Sequence, residues 1–268
     1  MRMQISIFQI DAFTDVLFGG NPAAVCPLEY WLDDHILQQI AAENNLAETA
    51  FFVKESADQF HLRWFTPEIE MDLCGHATLA SAYVLFEELG YSNSRIEFKT
   101  RSGALRVEKE SDLFVLDFPS RPPKRATLPK SIKDGLNILP DEVWKSRDYV
   151  LVYEREEDVK KIQPNIGILN EVDIDPGGII VTARSSQVGV DFVSRFFTPQ
   201  ASIFEDPVTG SAHCTLTPFW SSRLQKKTLR AVQLSERRGE LFCELQDEFT
   251  ATLLQVPSHY HLLLPYFL

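Results

Sequence analysis

The order of apolar and polar residues predicts a series of short strands in the first part of the chain. The mostly apolar run at residues 5–13 predicts a strand, and the glycine-rich turn FGGNP at 18–22 separates it from a buried strand at 23–26. Apolar residues at helical spacing then follow an acidic pair, Asp33–Asp34, either member of which can cap the helix. The run TAFFV at 49–53 predicts the next strand.

A different pattern marks residues 76–89, which are apolar on nearly all sides and stop at Gly90. A helix of this composition is expected to be buried on every face, because it has no polar side to turn toward solvent. Further strands are predicted near residues 95–100, 103–109 and 113–118. The first part of the chain should therefore combine strands with one central helix.

An internal repeat is the most informative pattern. The pentapeptide RWFTP at 63–67 recurs as RFFTP at 195–199, an offset of 195 − 63 = 132 residues, and twice 132 is 264, close to the chain length of 268. Each copy leads through a glycine-containing turn, CGHAT at 74–78 or EDPVTGSAH at 205–213, into a run of small and apolar residues. A matching strand, turn and helix at half the chain length predicts two similar halves related by a pseudo-two-fold axis.

The boundary between the halves is predicted from composition. The segment SRPPKRATLPKS at 120–131 is rich in proline and basic residues, so we predict an N-terminal half at 1–122 and a C-terminal half at 123–268. A second central helix should begin at Gly210. Pro218 lies inside it, and because an interior proline costs about 3 kcal/mol, we expect a kink or a later helix start.

The charge of the chain limits the classes of partner. Its 26 lysines and arginines against 38 aspartates and glutamates give a net charge of −12, which disfavours nonspecific binding to nucleic acid or anionic membranes. Hydrophobic residues make up 44% of the chain, as in an ordinary globular protein. No apolar run approaches the length of a membrane span, and residues 1–13 lack a signal-peptide core, so we expect a cytoplasmic protein.

The cysteines and histidines give no sign of a metal site or a disulfide framework. The four cysteines lie far apart with no C-x-x-C pair, so we expect reduced thiols at Cys26, Cys74, Cys214 and Cys243. His259 and His261 can share one face of a strand, but no third ligand accompanies them. Phosphate-binding glycine motifs are missing from the sequence as well. Neither a metal nor a nucleotide is predicted.

Two glycine turns are candidates for ligand binding. A helix that begins at Gly75–Ala77 or at Gly210–Ala212 leaves its first N–H groups unpaired, and small residues there let a ligand approach the backbone. Two such helix starts facing each other would hold a carboxylate. Each turn taken alone is better explained as the start of a buried helix, whereas their repetition favours a function.

Titratable side chains near these turns are candidates for the chemistry. Glu48 enters an apolar strand, where partial burial would raise its pKa, although a strand-edge carboxylate with its head in water is the simpler explanation. His76 follows the first turn and is equally well explained as a core histidine. Asp206 lies just before the second turn, where capping aspartates are common. Cys74 aligns with Thr209, which is no ready base, so a symmetric two-thiol racemase is excluded.

Four segments together carry a more specific signal: DAFTDVLFGGNPAAVC (11–26), NNLAETAFF (44–52), RWFTPEIEMDLCGHATLASA (63–82), and RFFTP with EDPVTGSAH within 195–213. This combination resembles the PhzF-like family, named for an isomerase of phenazine biosynthesis, within the diaminopimelate epimerase-like superfamily. The resemblance implies an α+β fold of two pseudo-symmetric halves, each a curved, mostly antiparallel sheet wrapped around a central helix. It also implies an active site in the cleft between the halves, a homodimer, and no metal or organic cofactor.

The resemblance further assigns roles by matching position. Glu48 corresponds to the general acid/base, and His76 and Asp206 to polar groups around the substrate. The substrate-binding positions, whose backbone would hold a carboxylate, are Gly75, Ala77, Gly210 and Ser211. In the phenazine enzyme the glutamate takes a proton from one carbon of a cyclic dihydro-hydroxyanthranilate, and a proton is returned elsewhere on the ring, which gives a ketone.

The leading hypothesis is a cofactor-independent isomerase that moves a proton through Glu48 on a small cyclic or amino carboxylate. One alternative is an epimerase acting next to a carboxylate, with Glu48 and Asp206 as its two acid/base groups. Another is a non-catalytic small-molecule or protein-binding member of the fold. The closing segment at 253–268 departs from the family pattern, since it contains Pro257 and Pro265 and no glycine. Its pairing as a last strand is therefore left open.

Overall fold

The chain folds as two compact units, which are Met1–Asp117 together with Leu254–Leu268, and Phe118–Leu253. The computed structural model describes residues 4–111, 113–172, 174, 177–201 and 203–246, and the backbone of residues 252–257 and 261–267. The division predicted after residue 122 lies a few residues beyond the end of the first unit's main segment. The closing residues group with the first unit and not with the second.

The first unit combines strands with two helices. Its strands, numbered along the whole chain, are β1 (Gln4–Ala12), β2 (Asn21–Leu28), β3 (Glu48–Lys54), β4 (Gln59–Phe65), β5 (Glu70–Met71), β6 (Arg95–Thr100), β7 (Gly103–Glu110), β8 (Leu113–Phe118) and β17 (His261–Phe267). Its helices are α1 (Asp34–Asn44) and α2 (Gly75–Tyr83), and α2 continues as a π-helical turn at Val84–Glu88.

These strands form a mixed sheet around α2. The neighbours run in the order β17, β1, β2, β3, β4, β6, β7 and β8, with β2–β3 and β4–β6 parallel and the other pairs antiparallel. Helix α2 packs against β1, β2 and β3. Its residues His76–Ala82 are all buried, as the apolar pattern predicted, and most of them are small enough to let the strands approach closely.

The second unit also combines strands with helices. Its strands are β9 (Lys124–Arg125), β10 (Glu142–Lys145), β11 (Tyr149–Tyr153), β12 (Ile179–Arg184), β13 (Phe192–Phe197), β14 (Thr228–Gln233) and β15 (Gly239–Leu245). Strand β16 (Thr252–Pro257) crosses the boundary between the two units. Its helices are α3 (Lys130–Asp134), α4 (Glu156–Lys161), α5 (Ile166–Leu169) and α6 (Gly210–Leu224). The predicted connection at 120–131 contributes β9 and the start of α3 to this unit.

The two units repeat one pairing pattern. Strands β10 to β15 pair in sequence as antiparallel, parallel, antiparallel, parallel and antiparallel neighbours. The same alternation runs through β1, β2, β3, β4, β6 and β7. The helix that follows the repeated pentapeptide packs on the sheet in both units, α2 in the first and α6 in the second. The predicted fold class, two pseudo-symmetric α+β halves around central helices, is confirmed.

The repeated pentapeptide has the same contacts in both units. Arg63 donates to both carboxylate oxygens of Glu70, at 2.7 and 2.8 Å, and its guanidinium lies 5.1 Å from the ring centre of the phenylalanine two residues later. Arg195 pairs with Glu205 at 2.7 and 2.8 Å and lies 4.9 Å from the corresponding ring. These bidentate pairs explain why the arginine of the motif recurs, since each ties its strand to the loop before the central helix.

Helix α6 begins at Gly210 and runs without interruption through Pro218. The expected later start is wrong, and the reason lies in a contact from outside the helix. Pro218 has no N–H to donate to the carbonyl oxygen of Cys214, and the backbone N–H of Arg121 donates to that oxygen instead, at 2.9 Å. The helix therefore keeps its proline without leaving a buried carbonyl unpaired.

Each unit has its own apolar core. In the first unit, side chains of β1, α1 and β3 such as Ile7, Leu37 and Phe51 pack together. In the second, β12 and β13 supply Val181 and Phe197 to a core that α4 and α5 cover. None of the helices in the described parts of the chain combines the length and the apolar composition that crossing a membrane requires.

Candidate active site

Glu48 and His76 form the centre of the candidate site in the first unit. Glu48 is the first residue of β3, and its side chain is 16% exposed. His76 is buried in the first turn of α2, and its Nε2 lies 3.0 Å from Glu48 Oε2. The structure thus brings together two residues that are 28 positions apart in the sequence, since 76 − 48 = 28. The other explanation of Glu48, a carboxylate whose head lies in water, does not hold.

The other ring nitrogen of His76 contacts two further polar groups. Asn21 Nδ2 lies 3.3 Å from His76 Nδ1, and Cys74 Sγ lies 3.6 Å from the same atom. The imidazole is thus contacted at both nitrogens, by Glu48 at Nε2 and by Asn21 and Cys74 at Nδ1. Asn21 begins β2, and Cys74 directly precedes α2. A strand start, a loop and a helix start therefore hold the imidazole in place.

The electrostatics of this cluster follow from burial and close contact. Burial lowers the pKa of His76, but the Cys74 sulfur and the Glu48 carboxylate raise it more, so that it lies well above its ordinary value. Burial raises the pKa of Cys74 to about 11, with Glu48 acting in the same direction. The thiol form of Cys74 therefore predominates at physiological pH.

Asp206 is held in the loop that precedes α6 in the second unit. Its carboxylate accepts a hydrogen bond from the hydroxyl of Thr209. Gln233, at the end of β14, donates to the Asp206 carbonyl oxygen at 2.8 Å and accepts from the Thr209 N–H at 2.9 Å. His213 donates from Nδ1 to the Thr209 carbonyl at 2.8 Å, and burial lowers its pKa to about 4, so it stays neutral. The loop is thus fixed by side chains on either side of it.

The start of α6 has a charged partner that the sequence did not reveal. Ser211 Oγ accepts a hydrogen bond from Arg147 Nη2 at 3.0 Å. Arg147 also pairs with Asp148, which is fully buried and accepts the Gly178 N–H at 2.8 Å. Burial raises the pKa of Asp148 although the charge of Arg147 opposes the rise. Gly210 is buried at the first position of the same helix.

Several functional candidates were missed because their partners are distant in sequence. Asn21 lies 55 residues from His76, Arg147 lies 64 residues from Ser211, and Gln233 lies 24 residues from Thr209. Neither hydrophobic periodicity nor a short motif connects positions so far apart. The turn signal at 18–22 did mark the neighbourhood of Asn21, but as a turn alone.

The strand registers show that the two units differ at the position of Glu48. Thr49 lies opposite Phe65 in the first unit, and Ile179 lies opposite Phe197, the matching residue of the repeat, in the second. Glu48, one residue before Thr49, therefore corresponds to the glycine at position 178. The duplicated unit has a carboxylate at this place in only one of its two copies.

A metal-ligating arrangement coincides with the same cluster. Among the described residues, one group of three candidate ligands occurs, with atoms of Glu48, Cys74 and His76 within 4.8 Å of one another. A metal ion bound there would require Cys74 as the thiolate and would occupy the carboxylate of Glu48. The side chains of the histidine pair considered from the sequence, His259 and His261, lie outside the described residues.

Comparison with known proteins agrees with this architecture. The family model for phenazine biosynthesis-like proteins (PhzC-PhzF) matches residues 10–255. An uncharacterized isomerase of Pseudomonas aeruginosa is 48% identical over 246 residues, which cover 92% of this chain and 93% of that protein. The human phenazine biosynthesis-like domain-containing protein is 41% identical over 270 residues, with the same two coverages of 92% and 93%.

Solved structures show the same fold. A PhzF-family phenazine biosynthesis protein of Enterococcus faecalis has a TM-score of 0.90 and 43% sequence identity, covering 99% of both chains. The duplicated α+β unit described above is thus shared with a solved member of the PhzF family. The chain belongs to the phenazine biosynthesis-like, or PhzC/PhzF, family, and it is an isomerase.

Proposed function

We propose that the protein isomerises a small cyclic or amino carboxylate by moving a proton through Glu48, without a cofactor. The observation that carries the proposal is the 3.0 Å contact between Glu48 Oε2 and His76 Nε2 in a buried cluster. A carboxylate that is largely shielded from water and held by an imidazole is suited to take a proton from carbon and to return it. Family membership adds that the reaction is an isomerisation.

In the proposed reaction the Glu48 carboxylate takes a proton from one carbon of the substrate and becomes a neutral acid. The substrate electrons shift toward a second carbon, and Glu48 returns the proton there, so that the net change is the position of a double bond. His76 is proposed to keep the carboxylate oriented, since its Nε2 lies 3.0 Å from Oε2. Asp206 and the helix starts at Gly75–Ala77 and Gly210–Ser211 are proposed to bind the polar groups of the substrate.

The test is a screen of metabolite extracts for exchange of substrate hydrogen with deuterated water. Wild-type protein should label one metabolite, and the Glu48→Gln variant should lose the label by at least about 100-fold, since general acid–base catalysis contributes that much or more. Glu43→Gln is the matched control. Glu43 is exposed on α1, and its substitution makes the same change of side chain as Glu48→Gln. Undiminished labelling by Glu48→Gln contradicts the proposal.

The same experiment separates isomerisation from the alternatives. An epimerase would return a product with the same bonds and the opposite configuration at the labelled carbon, so chiral chromatography distinguishes it. A binding protein without catalysis would retain a metabolite and exchange none of its hydrogens. The homodimer that the family resemblance predicts is tested separately, by light scattering that measures about twice the chain mass of 30.6 kDa.

A further inference from the structure

Arg147 occupies an unusual position at the start of α6. Its Nη2 is 3.0 Å from Ser211 Oγ, and its Nε and Nη2 both donate to the carboxylate of Asp148, at 3.1 and 3.0 Å. Asp148 is fully buried and is itself fixed by a backbone N–H, so the guanidinium has one orientation. The arginine side chain remains 30% exposed. A rigidly held cation with an accessible side therefore lies at a helix start.

The unused donors of this arrangement point toward a ligand. Nη1 of Arg147 makes no hydrogen bond to any residue that the structure describes, although a guanidinium has five N–H donors. Ser211 Oγ is the acceptor in its bond with Arg147, which leaves the hydroxyl hydrogen available as a further donor. The first N–H groups of a helix lack acceptors within the helix. Donors of three kinds thus lie at this helix start, and a carboxylate is an acceptor that can bond to all of them.

Charged groups of both signs lie near the start of α6, where the Asp206 carboxylate accepts a hydrogen bond from Thr209. Asp148 is influenced by two guanidinium groups, those of Arg147 and Arg121, so two positive charges surround one negative charge. Arg121 also has a buried Nη1 that lacks a hydrogen-bond partner among the described residues.

The matching place in the first unit has no such cation. Ile179 and Thr49 are equivalent positions of the repeat, and their strand partners are Tyr149 and Ala24. Tyr149 therefore corresponds to Ala24. Two residues earlier, Arg147 corresponds to Pro22. The first unit therefore carries a carboxylate and an imidazole at its central helix, and the second carries an arginine. The duplicated unit has diverged in charge at the position where a ligand would be bound.

We propose that Arg147, together with the Ser211 hydroxyl, binds the carboxylate group of the substrate by charge, and thereby selects carboxylates over their neutral analogues. This inference rests on the proposed function. It adds an ion pair between the Arg147 guanidinium and the substrate carboxylate to the hydrogen bonds from neutral backbone groups. Arg147 is a substrate-binding residue in this scheme and transfers no proton. Charge-assisted hydrogen bonds from a guanidinium to a carboxylate are among the strong ones, which makes the selection measurable.

The test compares two probes that share one ring and differ in charge, 2-aminobenzoate and 2-aminobenzamide, by isothermal titration calorimetry at low ionic strength. Wild-type protein should bind the carboxylate more tightly than the amide by about ten- to hundred-fold, as expected for hydrogen bonds to a charged group. The Arg147→Met variant should bind both probes with the same weak affinity. Arg155→Met, which removes an exposed arginine of the same unit, should keep the wild-type preference.

A second variant keeps the test meaningful if Arg147→Met is unstable. Removing the arginine leaves Asp148 buried without its partner, which is strongly destabilising. The double variant Arg147→Met/Asp148→Asn removes both charges and should fold with no preference for the carboxylate. A wild-type protein without preference, or a preference that survives in either folded variant, overturns the inference.

The outcome is independent of the proposed proton transfer. Glu48→Gln should retain the carboxylate preference even where it abolishes deuterium exchange. Loss of exchange in Glu48→Gln combined with an unchanged preference in Arg147→Met would leave the proposed function standing and remove this inference alone.

Discussion

At the scale of single residues, the thiols show how burial controls reactivity. All four cysteines are free and buried. Burial raises the pKa of Cys214 and of Cys243 to about 12 and that of Cys74 to about 11. The thiolate is the nucleophile, so a raised pKa and an inaccessible sulfur both slow modification.

We predict that native protein reacts with a thiol reagent such as Ellman's reagent only slowly at pH 7.5, and that all four thiols react in denaturant. As the pH rises, Cys74 should be modified before Cys214 and Cys243, since its pKa is the lowest of the three and its sulfur contacts His76. Mass spectrometry of the labelled peptides identifies the order. Rapid labelling of any thiol near neutral pH would contradict the prediction.

Glu156 is a buried carboxylate with a different role. Burial raises its pKa, but hydrogen bonds from Lys160, Ser186 and Gln187 lower it more, to about 2. Its folded pKa lies below the ordinary value, so the ionised form stabilises the native state above about pH 4.5, and this contribution is lost as the pH falls toward 2. The residue anchors the loop that follows β12.

We predict that Glu156→Gln lowers the free energy of unfolding by about 2–3 kcal/mol at pH 7, and that the difference from wild type shrinks as the pH falls from 5 toward 3. Urea unfolding at several pH values measures both quantities. Glu157→Gln, on the exposed neighbour, serves as the control and should have little effect at any pH. A difference that does not depend on pH would show that packing and not charge is responsible.

Candidate functional residues could be predicted from the sequence only where they belong to a recognisable local motif. Glu48 and His76 were identified because each belongs to a recognisable motif. Arg147 and Gln233 were not, since each acts on a loop or helix far away in the chain. Their roles depend on strand pairing, which brings distant positions together and leaves no periodic signal.

At the scale of elements, α6 shows how a helix accommodates a proline. Pro218 has no N–H to donate to the carbonyl oxygen of Cys214, and the backbone N–H of Arg121 donates to that oxygen instead. The glycine turn in the sequence correctly predicted where the helix begins. The expected later start was wrong, because the donor that compensates for the proline, Arg121, lies 214 − 121 = 93 residues before Cys214. Propensity alone describes a helix in isolation and takes no account of such a partner.

We predict that Pro218→Ala changes the free energy of unfolding by less than about 1 kcal/mol, although removing a proline from a helix interior ordinarily gains about 3 kcal/mol. The Cys214 carbonyl already accepts one hydrogen bond, so a second donor gains less than a donor to an unpaired carbonyl would. Thermal and urea unfolding measure the change.

The complementary substitution, Arg121→Pro, should cost about 1–3 kcal/mol, because it leaves that buried carbonyl without a donor. Arg121→Ala keeps the backbone N–H and is the control for loss of the side chain. A gain of several kcal/mol in Pro218→Ala would mean that the outside donor contributes nothing.

At the scale of the whole molecule, the repeated pentapeptide predicted the duplication correctly. Equivalent ion pairs, Arg63–Glu70 and Arg195–Glu205, occur at the two copies of the pentapeptide. The last strand could not be predicted from the same repeat, because β17 pairs with β1 and so belongs with the first unit. The departure of residues 253–268 from the family pattern did not prevent a strand at 261–267, in which Pro265 lies opposite Ser6.

We predict that deleting residues 261–268 destabilises the first unit by several kcal/mol, since residues 4–10 of β1 would lose the strand they pair with. Hydrogen exchange should increase at the amides of β1 and remain slow in β14 of the second unit. Deletion of Leu268 alone is the control. Unchanged protection in β1 would show that the pairing with β17 does not contribute to stability.

The pairing of β1 with β17 also determines when the first unit can be completed during synthesis. Residues 4–10 are synthesised about 250 residues before their partners at 261–267, 261 − 10 = 251. Translation adds about 5–20 residues per second, so the backbone N–H and C=O groups on one side of β1 stay unpaired for tens of seconds. During that time they can pair with other chains. Nascent chains on a crowded polysome are therefore exposed to intermolecular strand pairing at β1, and chaperone demand should last until residues 261–267 have been made.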